Sequence, residues 1–311
     1  MNKIKPISIS LNFDSINESL GFPKKFNDPS YFKGFDRVIK IINKYNIKIS
    51  IYVIGKDLEN KEIFARVRDW SSAGHEIGNH SWSHYHNLGS LEINEINNEI
   101  LKSHEIIQNC TKKEPKGFIA PSWNISKKII SKLIELNYIY DHSIFPSFAL
   151  FLLYFKDAIN HIGSKKFFRI IDRKDWKHHF FASKKPFFVD ESLKEIKTDK
   201  ENKILIMPLP TKSKFHIPIW YTLGFVFGWK YFYNSFEKFL TNNEYFYLLF
   251  HPADFTSSQD ISKKYKNYLQ RFNISVEEKI KILENIFLTI SKSKRKCITM
   301  EELANYYINK N

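Results

Sequence analysis

Short apolar runs alternate with amphipathic helical stretches along most of the chain, and this alternation narrows the fold more than any other feature. Ile7, Ile9, Leu11 and Phe13 read as a strand ending at Asp14. Phe35, Val38, Ile39 and Ile42 recur at helical spacing, residues 47–54 form a second strand closed by Gly55, and a helix follows to about Trp70. Glu76 and Ile77 make a short strand leading to His80, and Leu91, Ile93, Ile96 and Ile100 mark the next helix. A strand at 118–120 runs into Pro121, 125–136 is helical, and a strand at 138–140 reaches Asp141. After a less regular stretch at about 143–202 the pattern resumes, with strands at 204–207, 245–250 and 297–299 and helices at 229–240, 276–290 and 301–308.

Strands joined through helices pair in parallel, because the crossover returns the chain to the same edge of the sheet. Six or more such units predict an α/β fold, a distorted (β/α) barrel closed or nearly closed on itself. The expectation is a single domain over 1–311, with an irregular elaboration at about 143–202. Asp14, His80, Asp141 and His251 all fall at C-terminal strand ends, where barrel enzymes carry their chemistry.

Composition removes several alternatives. With 43% hydrophobic residues the chain has material for a packed core and is not disordered. Two cysteines, Cys110 and Cys297, cannot build a disulfide framework, and they read as inert core thiols. The first residues carry no apolar signal-peptide run, which points to a cytoplasmic protein. The 48 Lys+Arg against 33 Asp+Glu leave a net charge of +15. Such charge suits nucleic acid, an anionic lipid surface or a phosphorylated substrate. No zinc-finger spacing, RNP-like motif or base-reading basic helix is visible, so no nucleic-acid partner is expected. Aromatic runs at 148–155 and 215–230 fall short of a membrane span. Either they pack the barrel, or with nearby lysines they make peripheral contact with an anionic membrane.

The densest chemistry lies in Gly74-His75-Glu76-Ile77-Gly78-Asn79-His80-Ser81-Trp82-Ser83-His84. His80 and His84 stand four apart. On one helical turn they would face the same way and offer nitrogen to one ion, and neutral imidazole suits zinc, cobalt, nickel or iron. The segment resembles the second motif of the polysaccharide deacetylase family, the NodB-like carbohydrate esterases of the family 4 type. The remaining motifs follow in order. Leu11-Asn12-Phe13-Asp14-Ser15 stands where the family has T-F-D-D, and Phe118-Ile119-Ala120-Pro121-Ser122-Trp123 is similar to R-x-P. Tyr140-Asp141-His142-Ser143-Ile144-Phe145-Pro146 is similar to Y-D-S-S-I-F-P, and Leu249-Phe250-His251-Pro252 to L-H-P.

The resemblance implies a metal-dependent hydrolase that removes an N-acetyl or N-formyl group from an amino sugar. Its setting would be bacterial cell-envelope glycan or lipopolysaccharide assembly, on a lipid- or nucleotide-linked sugar. It further implies an ion on one Asp and two His, a first Asp as general base, and a late His, here His251, as general acid. Two departures bear on this. The family's second Asp is Ser15, and its motif-three Arg, which orients the base, is Ile119. One reading gives the metal to Asp14, His80 and His84 and shares or moves the base role among His251, Asp141 and Glu18. A second keeps Asp14 as base with the ion on two histidines. A third is a relative that binds glycan without hydrolysing it. Asp254 would either orient His251 or cap the next segment, and Asp141 would either support a histidine or shape a turn. Trp123 would sit near the mouth of the site, and His86, His178 and His179 read as solvent-exposed.

Overall fold

The structure is a computed structural model that describes residues 4–16, 28–148, 150, 173–197, 201–212, 216–242, 244–262 and 270–310. Glu18 and most of the 148–155 run lie outside the described residues. In chain order, the first elements are β1 (Ile7–Phe13), α1 (Phe35–Lys44), β2 (Ser50–Val53), α2 (Lys61–Ser72), β3 (Glu76–Asn79) and α3 (Ile93–Thr111). Next come β4 (Gly117–Phe118), α4 (Lys127–Glu135), β5 (Tyr140–Asp141), α5 (Trp176–Phe180), β6 (Phe187–Val189), β7 (Glu195–Ile196) and β8 (Ile204–Ile206). The chain continues through β9 (Thr211–Lys212), β10 (Ile217–Pro218), α6 (Leu223–Phe227), α7 (Trp229–Thr241) and β11 (Tyr247–Phe250). It ends with α8 (Val276–Lys292), β12 (Cys297–Ile298) and α9 (Met300–Ile308). The fold is α/β with a parallel-rich sheet, as the alternation predicts.

The chain packs as two compact units, 1–51 with 220–300, and 52–219 with 301–311. In the first, β1 lies between β11 and β12 and is parallel to both, with Leu11 opposite Phe250 and Ile7 opposite Cys297. Every residue of β1 is buried. Ser8, Ser10 and Asn12 occupy the face opposite Ile7, Ile9, Leu11 and Phe13, as expected of a strand covered on both sides.

In the second unit β3, β4, β5 and β8 run parallel. The irregular stretch then adds β6 antiparallel to β8 and β7 antiparallel to β6. Helices cover this sheet by burying one stripe each. Ile96 and Ile100 of α3 meet Ile129, Ile130 and Leu133 of α4 in one core with Phe118 and Ile206. The ends of these helices are encoded locally. Asn60 accepts from the backbone of Glu62 and Ile63 to start α2, and Ser126 accepts from Ile129 to start α4. Glycine is required at Gly117, where a Cβ would strike the ring of Tyr140.

Candidate metal centre

In the second unit, β3 delivers the histidines. His80 leaves the strand with its N–H bonded to the Val53 carbonyl, and residues 80–85 then follow an irregular loop. The helical turn expected to align His80 and His84 is not formed. Left-handed backbone at Ser81 (φ 64°) and His84 (φ 55°) folds the loop back, and the two rings meet edge to face at 4.8 Å. Asn79 fixes this corner. Its side chain accepts from Ser81 N–H at 2.8 Å and donates to the Ile100 carbonyl and the Tyr138 hydroxyl.

His80 Nδ1 lies 2.7 Å from the Ile119 carbonyl. A carbonyl only accepts, so in the neutral ring Nδ1 carries the proton and the lone pair is on Nε2, the atom that a metal would use. Position 119 thus contributes through its backbone, which an aliphatic side chain does not disturb. Both rings are buried, as an inner ligand pair requires.

Behind β3 a buried hydrogen-bond chain runs from the Tyr52 hydroxyl to the Tyr140 hydroxyl and on to Glu76, whose other oxygen accepts from the Glu301 N–H at 2.9 Å. Asp141 is fully buried and accepts from the backbone and the hydroxyl of Ser143 at 2.9 and 2.6 Å. These contacts shape a turn, and among the described residues no histidine is hydrogen-bonded to it. Burial pushes its carboxyl up to about 7, against the pull of Ser143. His142, not foreseen as a site residue, packs at 4.4 Å against Tyr52. Burial, and next the nearby His80, push it well below the usual imidazole range. The signal for it was a histidine standing where the family's stretch has serine.

In the first unit, Asp14 ends β1, buried, and His251 ends β11, half-buried. Asp254 accepts the His251 N–H at 3.0 Å, its carboxylate lies 3.8 Å from His251 Nδ1, and Arg271 donates to its other oxygen at 2.8 Å. Burial alone would lower the His251 pKa, but the carboxylates of Asp14 and Asp254 raise it above the ordinary value. Burial would likewise raise Asp254, and Arg271 followed by His251 hold it below the usual carboxylate range. By accepting the His251 N–H, Asp254 also caps the turn Pro252–Phe255, the second of the two roles expected of it.

With that geometry in view, the chain can be set beside known proteins. Residues 3–140 match the family profile described as polysaccharide deacetylase. Over that stretch the chain is similar to the polysaccharide deacetylase family. A peptidoglycan deacetylase of Helicobacter pylori is 31% identical over 112 residues, 36% of this chain and 37% of that one. A peptidoglycan-N-acetylglucosamine deacetylase of Bacillus cereus is 28% identical over 114 residues, 36% of this chain and 40% of that one. The chain therefore spans about two fifths of the length of these relatives. A crystal structure of a Mycobacterium smegmatis protein assigned to the polysaccharide deacetylases superposes with a TM-score of 0.58 at 13% identity, covering 98% of this chain and 91% of that one. The shared fold is the NodB-type (β/α) barrel expected from the sequence.

Other side chains of this polysaccharide deacetylase relative depart from their sequence reading. His179 is fully buried and not exposed, because Asp175 and the Phe145 N–H satisfy its ring nitrogens. His178 is half-buried, while His86 is exposed as expected. Trp123 packs edge to face on Phe145 at 5.0 Å. Lys279, missed in the sequence, is buried, donates to the Thr256 carbonyl and lies over the Phe225 ring at 5.3 Å. Burial brings its pKa down to about 7. No helix among the described residues is long and apolar enough to cross a membrane.

Proposed function

We propose that the chain hydrolyses the N-acyl group, N-acetyl before N-formyl, of an amino sugar in a cell-envelope glycan, with a metal ion on Asp14, His80 and His84. One observation carries the reading: the buried His80 and His84 rings meet at 4.8 Å, and the Ile119 carbonyl at His80 Nδ1 turns Nε2 into the ligand atom, with Asp14 joining them as the resemblance implies. One carboxylate and two imidazoles fit a divalent transition ion, zinc foremost, with cobalt, nickel and iron as alternatives. When bound, such an ion supplies Lewis-acid polarisation of an amide carbonyl and lowers the pKa of water.

The chain's own residues supply the proton chemistry. Asp14 has two carboxylate oxygens, so one can hold the ion while the other accepts a proton from the attacking water. His251, whose pKa the carboxylates of Asp14 and Asp254 raise, gives a proton to the leaving nitrogen. Asp254, itself held by Arg271, keeps the imidazole aimed and raises its pKa, while the Arg271 charge acts in the opposite direction. The relatives named for peptidoglycan support an envelope glycan as substrate class, and the exposed Phe148 and Phe181 support peripheral membrane contact.

The test is metal analysis of the purified protein together with acetate release from N-acetylglucosamine oligomers. The expected result is one ion per chain, lost in Asp14→Ala, and ion-dependent release. Ser15 and Ile119 favour a second reading, a glycan binder that does not hydrolyse. A metal-free parent that binds the oligomers and releases no acetate would establish it in place of the first.

A further inference from the structure

The irregular stretch sends one arginine back to the turn after β4. Arg173 Nη1 donates to the Ser122 carbonyl at 2.9 Å and Nη2 to the Trp123 carbonyl at 2.7 Å. These are two consecutive residues in the left-handed region, φ 56° and 53°, which a serine and above all a tryptophan disfavour. A turn of this kind persists only where its surroundings hold it.

The grip on Arg173 is built from buried groups. Asp175 accepts from Arg173 Nε at 2.6 Å and from Nη2 at 2.9 Å, and from the Ile125 N–H at 3.0 Å. His179 Nδ1 accepts from the Phe145 N–H, so in the neutral ring Nε2 carries the proton and donates to Asp175 at 3.0 Å. Arg173, Asp175 and His179 are 4%, 4% and 0% exposed. A buried, paired guanidinium costs desolvation, so its placement against the carbonyls of two strained residues asks for a reason.

The turn it holds leads to the histidine loop. Ser122 Oγ lies 2.6 Å from His86 Nδ1, and the His86 ring meets the His84 ring edge to face at 5.1 Å. We infer that Arg173, seated by Asp175 and His179, is a positioning residue for His84, acting through the left-handed Ser122–Trp123 turn and His86. The arginine missing at position 119 is thus not the only guanidinium that can serve this region: one reaches the same turn from the irregular stretch, to set a metal ligand rather than a base. The inference rests on the reading of His84 as a ligand.

The test is cobalt(II) titration of the whole protein, read by its visible absorption, alongside NMR of the His84 and His86 ring protons in ion-free protein. Outer partners of metal ligands are worth roughly 10–100-fold in affinity. Arg173→Lys, which keeps the charge and loses the two-pronged grip, is expected to weaken cobalt about tenfold and to shift both ring signals. Ser122→Ala should act in the same direction, about threefold. Asp175→Asn takes the place of Arg173→Lys if the lysine variant does not fold. If the parent binds cobalt and the folded variants bind it as tightly with unmoved ring signals, the inference fails while the metal reading stands. If the parent binds no ion, the metal reading fails, and the ring signals decide alone: shifts in the variants uphold the positioning, and their absence overturns it.

Discussion

Around His251 the neighbours are charged. Asp14 and Asp254 bear on the ring, Arg271 fixes Asp254, and burial loses to the carboxylates, so the imidazole holds its proton more tightly than usual. Around His142 burial is the largest influence, and the imidazole of His80 adds to it in the same direction. His80 next to it has a backbone carbonyl as its partner. The same side chain is prepared in one unit to carry a proton and in the other to keep a lone pair. At His251 two carboxylates outweigh burial, and at His142 burial and a neighbouring imidazole act in the same direction.

Removing the lone pairs should have the largest effect. His80→Ala or His84→Ala is expected to abolish bound metal and reduce deacetylation to background, with metal content measured by elemental analysis. Either variant retaining a full ion would break the contrast at its neutral end. Removing the proton carrier should be milder. His251→Gln should keep the ion and lower kcat by about 10²–10⁴-fold, the range of a general acid. If metal content fell instead, His251 would belong with the ligands.

A smaller effect is expected where the charged neighbours are edited and the ring is kept. Asp254→Asn takes away a carboxylate that raises the His251 pKa. The acid form must be present for catalysis, so the alkaline limb of the kcat profile should move to lower pH. The same variant should lose a stabilisation that the parent has above the ordinary carboxylate pKa. Because Asp254 is held low, that stabilisation fades only as pH falls through its folded-state pKa. An unmoved alkaline limb would assign that limb to another group.

Much of this was readable before any coordinates. Asp14, His80, Asp141 and His251 stand at strand ends because apolar runs stop there, and the runs are visible in sequence. The alignment of His80 with His84 was expected for the wrong reason. Spacing by four implies a helix, but left-handed Ser81 and His84 achieve the approach in a loop, and positive φ at a non-glycine has no sequence mark. The hairpin strands β6 and β7 are three and two residues long, too short for alternation to register. His179 looked like part of a basic surface stretch. Its burial depends on Asp175 and on a backbone N–H 34 residues earlier, and local composition does not show partners at that range.

The smallest effects should come from Asp141 and His142, two adjacent buried groups whose pH linkages have opposite sign. Burial raises the folded Asp141 pKa to about 7, so the folded state takes up a proton that the unfolded chain releases above about 4. Stability from this residue is therefore present at low pH and is lost as pH rises toward 7. His142 is held neutral in the fold, whereas the unfolded imidazole binds a proton below about 6.5. Its linkage removes stability as pH falls from that point, at up to about 1.4 kcal/mol per pH unit. In the parent the two linkages oppose one another below about pH 6.5. Asp141→Asn should uncover the histidine, giving a denaturation midpoint that drops steeply toward acid pH. His142→Phe should uncover the carboxyl, giving a midpoint that drops toward neutral pH. Parallel pH profiles for the two variants would mean that at least one of these groups is not buried in the ionisation state that its surroundings impose.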